Sequence, residues 1–320
     1  MWKTIVRRLL ILIPQLFVLS LVIFILAQIM PGDALTGFVD PNVSGEDLER
    51  LREQLGLNRP MHEQYISWIS GVLVGDFGRS WHHARPVIDV IGERAANTFR
   101  LALVTTFFAY LLAVPLGLIA GRFKETVIDK AIILYTYFAM SIPTIILALI
   151  FMFIFGFNLR WFPIAGSVDV TAVPGSFAYF ISRVYHLILP GFTGALLSTT
   201  FLINQLRSEI IDNENSDYVT TARSKGVPKR KIYTRHIFKN SSLPVISSLG
   251  MAVAFFLTGS IFIELLFSYP GMGNLFFTAI NQRDFPVTNA LIILYATLLV
   301  SGTLISDILM SVIDPRVRIK

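Results

Sequence analysis

DYVTTARSKGVP, residues Asp217–Pro228, lies at the centre of a polar, basic segment, residues 207–242, that separates two long apolar segments. Local signals predict a short helix here. Ser216 or the aspartate after it can cap the N-terminus, and Gly226, two residues before a proline, can end the helix. A helix of about two to three turns does not persist alone in water. We therefore expect it to pack against other residues, and a basic loop of this length indicates a docking surface.

The composition is typical of a membrane protein. Of the 320 residues, 54% are hydrophobic and only 15% are charged, and the mean hydropathy is +0.64, well outside the range of soluble domains. An apolar helix of roughly 20 residues crosses the ~30 Å hydrocarbon core, and backbone groups in lipid must be paired internally. We predict an all-α polytopic protein with six transmembrane helices: Leu9–Met30, Phe99–Ala120, Ile132–Phe157, Tyr185–Leu206, Leu243–Phe267 and Val287–Ile313.

The distribution of Lys and Arg predicts the orientation. Basic residues are concentrated before the first span, in the loop after the second, in residues 207–242 and at the C-terminus, which predicts that both termini are cytoplasmic. The first apolar run exceeds the ~7–15 residues of a signal peptide, so we interpret it as a retained anchor. The predicted organisation is a cytoplasmic start and first span (1–30), an extracytoplasmic loop or subdomain (31–98) and a core membrane domain (99–320).

A series of short motifs accompanies the 207–242 segment along almost the whole chain. In order they are Pro31-Gly32-Asp33, Leu55–Pro60, Gly75–Ser80, Ser141-Ile142-Pro143, His186–Pro190, Tyr269–Gly273, Arg283–Pro286 and Asp314-Pro315-Arg316. With them the segment resembles the cytoplasmic "EAA" loop in permease subunits of bacterial ABC importers, of the dipeptide, oligopeptide and nickel branch. Thr220 and Thr221 stand where the name of the motif has Glu and Ala.

This resemblance implies a type I ABC importer permease fold and a set of coupling residues. The ATPase-coupling role falls on Tyr218, Thr221, Ala222, Lys225 and Gly226. Because Ala222 and Gly226 are small and four residues apart, we expect them on one helical face, where a partner can approach closely. The implied partners are a second homologous permease, two ABC ATPases, an extracytoplasmic peptide-binding protein, the peptide and the lipid bilayer.

The chain lacks the motifs of catalysis. It contains no G-x-x-x-x-G-K-[ST] phosphate loop, no G-x-S-x-G and no H-E-x-x-H, so we expect no enzyme activity and no cofactor in this chain, with ATP and Mg bound by the partner ATPases. The absence of Cys excludes disulfides and thiolate metal sites. The net charge of +6 is a topology signal, and we expect no nucleic-acid partner, because no motif presents one.

Three features have competing interpretations. Glu264 is embedded in apolar sequence, so we expect it to face a partner, water or the subunit interior, either on the translocation pathway or near the membrane interface. His82-His83 is a weak metal candidate, because adjacent histidines on a helix diverge and no third ligand is spaced nearby. The prolines near or inside the spans act either as hinges or as static bends; they are Pro115, Pro143, Pro190 and Pro244.

The function that follows is ATP-driven uptake of oligopeptides or dipeptides across the bacterial cytoplasmic membrane. Within the same machine, nickel, glutathione or another small solute is the alternative cargo. A stand-alone channel or secondary transporter would leave the basic loop unexplained and often contains internal repeats, and an intramembrane enzyme would need a recognisable reactive set.

Overall fold

The computed structural model describes residues 2–29, 49–50, 52–53, 58–258 and 261–313. The motifs Pro31-Gly32-Asp33 and Asp314-Pro315-Arg316, and the first half of Leu55–Pro60, lie outside these ranges. Within them the regular structure is helical, and the extended pairing is a single bridge between Arg79 and Pro86. The prediction of an all-α chain is confirmed for this part of the protein.

The helices follow the apolar pattern closely. They are α1 (Trp2–Ile29), α2 (Met61–Leu73), α3 (Val87–Arg122), α4 (Val127–Ser141), α5 (Thr144–Phe151), a π-helical turn (Met152–Asn158), α6 (Phe177–Glu214), α7 (Asp217–Ser224), α8 (Lys229–Lys231), a second π-helical turn (Ile232–Ile237), α9 (Phe238–Ser241), α10 (Leu243–Ser247), α11 (Leu249–Leu257), α12 (Ile261–Leu266), α13 (Met272–Asn281) and α14 (Phe285–Ile313).

Three helices in the described ranges are long and apolar enough to cross a membrane: Val87–Arg122, Phe177–Glu214 and Phe285–Met310. Two bent helix pairs raise the number to five if each pair is one span. The predicted first span, Leu9–Met30, overlaps α1, a single helix of 28 residues. The protein is therefore a helical membrane protein with three to five apolar spans in the part of the chain that the structure describes.

The predicted span Ile132–Phe157 is bent at Pro143, one of the prolines that the sequence marks as a possible kink. The chain turns through 102° between α4 and α5, at Ile142 and Pro143, which both have extended backbone conformations. Proline has no amide hydrogen and disfavours a helical conformation in the residue before it. The same chemistry places Pro244 in the first turn of α10, at a milder bend of 41°.

The predicted span Leu243–Phe267 is also divided, into α10, α11 and α12. By contrast, Pro115 and Pro190 lie inside the continuous helices α3 and α6. A proline in the chain therefore marks a helix break at some of the predicted positions and not at others.

Two helix pairs pack closely through glycines. In the pair α3–α6, a Cβ at Gly121 would lie 2.7 Å from Ile210 Cβ, and one at Gly191 would lie 2.7 Å from Val104 Cγ1. In the pair α11–α14, a Cβ at Gly302 would overlap that of Ala254. Small residues let backbones approach within the membrane, where packing rather than the hydrophobic effect holds helices together.

Candidate functional site

The predicted short helix is present as α7, and its ends are those that the sequence signals indicate. Ser216 occupies the N-cap position and Lys225 the C-cap. The Ser216 hydroxyl nevertheless donates to Asn213 O (2.6 Å) instead of accepting from the helix amides. After the helix, Gly226 has φ +73°, the left-handed conformation for which glycine is favoured.

One face of α7 is buried in the protein itself. Val219 and Ala222 belong to a core cluster with Ile210 of α6 and with Ile232 and Ile237 of the second π-helical turn. Burying these side chains supplies the packing that an isolated helix of eight residues lacks. The expectation that Ala222 shares an outward face with Gly226 is therefore wrong, because Ala222 points into the core and Gly226 lies beyond the helix end.

Polar contacts fix α7 to the end of α6. Glu214 accepts hydrogen bonds from the Arg223 guanidinium (2.9 Å) and from the Tyr233 hydroxyl (2.7 Å). The Tyr218 hydroxyl donates to Asn213 Oδ1 (2.5 Å). The guanidinium of Arg122, at the end of α3, lies 5.3 Å from the centre of the Tyr233 ring. The ends of two long helices are thus connected to the short one.

A charged hydrogen-bonded pair joins the same region to α4. Arg207 of α6 donates two hydrogen bonds to Asp129 of α4, at 2.7 and 2.8 Å. The Asp129 side chain is only 3% exposed. The fork of the guanidinium matches both carboxylate oxygens, which fixes the angle between the two helices as well as their distance.

The outward face of this region is basic. Residues 207–242 carry eight Lys or Arg and four Asp or Glu, a net charge of +4. Of the predicted coupling residues, Tyr218, Thr221, Lys225 and Gly226 are exposed. Five exposed cations continue the surface and form no ion pair with another described residue; they are Lys229, Arg230, Lys231, Arg235 and Lys239. The chain presents a positively charged surface there.

Glu264, the other predicted site residue, is fully buried. It accepts a hydrogen bond from Thr98 Oγ1 (2.8 Å) and one from the amide of Asn274 (3.0 Å). Thr98 Oγ1 in turn accepts from the amide of Met272 (2.7 Å). Since Met272 and Asn274 lie in the first turn of α13, Glu264 and Thr98 together satisfy amides that a helix start leaves without acceptors. The Glu264 carboxylate of α12 thus helps to cap the N-terminus of α13 and is hydrogen-bonded to Thr98 of α3.

A second buried carboxylate connects two of the sequence motifs. Asp284, in Arg283–Pro286, accepts hydrogen bonds from the Ser80 hydroxyl and from the amides of Trp81 and His82 (both 3.2 Å). Ser80 ends the motif Gly75–Ser80. The two motifs are about 200 residues apart in the chain, and no local signal in the sequence indicated that they meet.

The histidine pair is part of this same turn. The rings of His82 and His83 are edge to face, with centres 5.2 Å apart, and the described residues contain no group of three potential metal ligands. Burial and the neighbouring His82 lower the pKa of His83. The turn anchors the motif Gly75–Ser80 to the start of α14.

The chain is similar to known proteins along nearly its whole length. Two family models match it: the binding-protein-dependent transport system inner membrane component, over residues 113–319, and its N-terminal part, over residues 1–102. The oligopeptide transport system permease protein AppB of Bacillus subtilis is 36% identical over 98% of both chains. The glutathione transport system permease protein GsiC of Escherichia coli K12 is 30% identical over the full length of both.

A solved structure supports the fold. A chain of the MetNI methionine ABC transporter, in an inward-facing conformation, superposes with a TM-score of 0.55 over 71% of this chain and 97% of its own length. Its sequence identity is 12%, so the likeness concerns the fold alone. The match shows the type I ABC importer permease fold. The chain therefore belongs to the family of inner membrane components of binding-protein-dependent transport systems, and it is a permease subunit of an ABC importer.

Proposed function

We propose that this chain is one of two membrane-spanning subunits of a peptide importer in the bacterial cytoplasmic membrane. A binding protein delivers the peptide from outside, and two ATPases, which bind ATP and Mg, dock on the inner surface. The chain crosses the membrane six times with both termini in the cytoplasm. Residues 31–98 form the outer segment, and residues 99–320 form the core domain.

The observation that carries this proposal is the construction of residues 207–242. Val219 and Ala222 bury one face of α7 in the core cluster, and Arg223 of α7 donates a hydrogen bond to Glu214 at the end of α6. The outer face of α7 is exposed and positively charged. A helix that is fixed in this way transmits force instead of yielding to it. When the ATPases close on ATP, a push on α7 therefore moves α6, and through the Asp129–Arg207 pair it also moves α4.

The peptide cargo rests on the relatives. AppB is named for oligopeptide transport and GsiC for transport of glutathione, which is itself a tripeptide. Both relatives align along the length of this chain, so the likeness is not confined to the coupling machinery. Nickel or another small solute in the same machine is the alternative, and the identity of the co-purified binding protein distinguishes it from peptide.

Gly226 provides the sharpest test of the docking surface. A Cβ at Gly226 meets no atom of the described residues within 4 Å, so the first carbon of a side chain is accommodated there. Gly175 is a matched control, because it also has a positive φ (+82°) and open space around it. At either position the left-handed conformation costs a side chain about 1–2 kcal/mol.

We expect Gly226→Trp to lose most of the ATPase that co-purifies with wild-type protein in mild detergent, and to lose ATP-driven peptide uptake in vesicles. Gly175→Trp should retain both, because it carries the same backbone strain away from the docking surface. A Gly226→Trp importer that assembles fully and transports at the wild-type rate would contradict the assignment of the docking surface.

A further inference from the structure

A cavity of about 650 Å³ lies between the two glycine-packed helix pairs. Tyr110 of α3 and Ser198 and Phe201 of α6 line one side, and Phe255 of α11 lies opposite, with Ser248 at the start of that helix. The volume falls in the range of ~300–1,000 Å³ that ligand sites occupy. None of the residues named so far for docking, capping or anchoring lines it.

One wall of the cavity is formed where a helix is broken. Thr144, which lines the cavity, begins α5 directly after the 102° turn. The N-cap residue before it is Pro143, which provides no side-chain acceptor, and the backbone bonds formed across this turn do not include the amides of Thr144 and Ile145. Lipid cannot satisfy such amides, so irregular backbone at membrane depth faces protein or a water-filled cavity. This wall therefore favours an aqueous occupant over lipid tails.

The lining combines aromatic area with neutral hydroxyl groups. Phe201 and Phe255 are 68% and 64% exposed, although they lie in apolar helices. The hydroxyl groups come from Tyr110, Thr144, Ser198 and Ser248, and the described residues of the lining include no Asp, Glu, Lys, Arg or His. The hydroxyl hydrogens of Tyr110, Ser198 and Ser248 already go to backbone carbonyls, so these oxygens are left to accept the N–H of a peptide bond. A charged side chain would find no counter-charge and would be costly to bury.

Because the cavity lies between two helix pairs, its size depends on how the pairs are placed relative to each other. The Tyr110 hydroxyl donates to Val245 O (3.1 Å) and lies 3.1 Å from Ser248 Oγ. These contacts join α3 to the α10–α11 junction at the edge of the cavity. Because each pair is packed tightly within itself, a change of access has to come from motion of one pair against the other, and that motion changes the size of the cavity.

We propose that this cavity is the part of the translocation pathway that this subunit provides, and that it receives uncharged, apolar side chains of the transported peptide. The inference deepens the proposed function and rests on it. The backbone of the peptide pairs with the hydroxyl groups, and its apolar side chain packs against the phenylalanines. The residues that select the cargo here are Tyr110, Ser198, Phe201 and Phe255.

Thiol labelling tests the location, because the chain contains no cysteine. Phe201→Cys is introduced into the assembled importer in vesicles, with Phe107→Cys as its control. Phe107 is 62% exposed in α3 and does not line the cavity. A charged methanethiosulfonate reagent should label the Phe201→Cys protein roughly tenfold faster, since water reaches the cavity and does not reach a lipid-facing position. Trileucine at about ten times its Kd should slow that labelling by about tenfold.

Uptake ratios test the chemistry. Ser198→Asp adds a carboxylate to the cavity, and Asn204→Asp adds one on the same helix, at an exposed position outside the cavity lining. We expect Ser198→Asp to raise the uptake of trilysine relative to trileucine by about tenfold, a gain of about 1.4 kcal/mol in differential interaction, and Asn204→Asp to leave the ratio unchanged. The binding protein is the same in both importers, so a changed ratio originates in the permease.

The outcomes distinguish a failure of this inference from a failure of the proposed function. Uptake by vesicles that depends on ATP, on the binding protein and on peptide establishes the proposed function by itself. In such vesicles, equal labelling of the two cysteine variants, or no protection by trileucine, would overturn the cavity as part of the pathway. An unchanged trilysine-to-trileucine ratio in Ser198→Asp would overturn the chemistry assigned to it.

Discussion

Glu264 shows that a residue can be identified from the sequence as unusual while its contacts remain unknown. Its position in apolar sequence pointed to the pathway or the interface. The structure instead buries it against the glycines of Tyr269–Gly273, where a Cβ at Gly271 would overlap its carboxylate. The missing side chains make room for the carboxylate, and the amides of α13 give it hydrogen-bond partners. A role of Glu264 on the translocation pathway stays a hypothesis, because capping alone accounts for its contacts.

The capping role makes a prediction at the same scale. Glu264→Ala should lower the thermal denaturation midpoint of the detergent-purified protein by several degrees, because it leaves the Asn274 amide and the Thr98 hydroxyl without their acceptor, at about 1–3 kcal/mol for each group. Glu264→Gln keeps the shape and one acceptor, and should lower the midpoint less. If the alanine and glutamine variants denatured at the wild-type temperature, the cap would not be a stabilising contact.

At the scale of elements, the junction between α4 and α6 depends on one charged pair. Asp129 is almost fully buried, whereas Arg207 is 25% exposed. Removing one partner of a buried pair leaves the other charge uncompensated, which costs about 3–5 kcal/mol, and the partial exposure of Arg207 places this pair toward the lower end.

We expect Asp129→Ala to unfold at clearly lower SDS in a mixed-micelle titration. Glu125→Ala is the control, because Glu125 is 81% exposed in a longer ion pair with Lys124 (3.7 Å) and such surface pairs contribute little. The double variant Asp129→Leu with Arg207→Met should recover much of the lost stability, since it removes both charges. Equal stability of the Asp129 and Glu125 variants would argue against a structural role for the buried pair.

At the scale of the whole molecule, two helix pairs, α3–α6 and α11–α14, are packed closely through glycines. The α11–α14 pair depends on Gly302, where a Cβ would overlap Ala254 and lie 3.0 Å from Gly250 O. Backbone atoms at that distance cannot yield as a flexible side chain can. A large residue there has to separate the helices.

Gly302→Leu should therefore reduce the yield of folded, monodisperse protein and lower its thermal midpoint, by several degrees or more. Gly92→Leu is the matched control: Gly92 also lies in a long helix, no atom is within 4 Å of its Cβ position, and leucine is the better helix former there. If both variants behaved like wild type, the close packing of α11 on α14 would not be needed for the fold.

The sequence alone determined the features that depend on neighbouring residues. The all-helical class of the described residues and the importer family follow from composition and motifs. The position of α7 between Ser216 and Gly226 follows from residue preferences that act over a few residues. Whether a proline breaks a helix was not determined in this way, since Pro143 does and Pro190 does not. The bend at Pro143 is stable only if the chain that follows it packs against the rest of the protein, and that packing belongs to the tertiary structure.

The tertiary structure decided which residues meet. Glu264 pairs with Thr98 across 166 positions, and Ser80 with Asp284 across 204, distances at which periodicity and spacing carry no information. It also decided the direction of Ala222, because one face of a short amphipathic helix is buried only when α6 and the second π-helical turn are in place. Local backbone preferences are encoded near each residue, whereas burial and pairing depend on the folded arrangement of the whole chain.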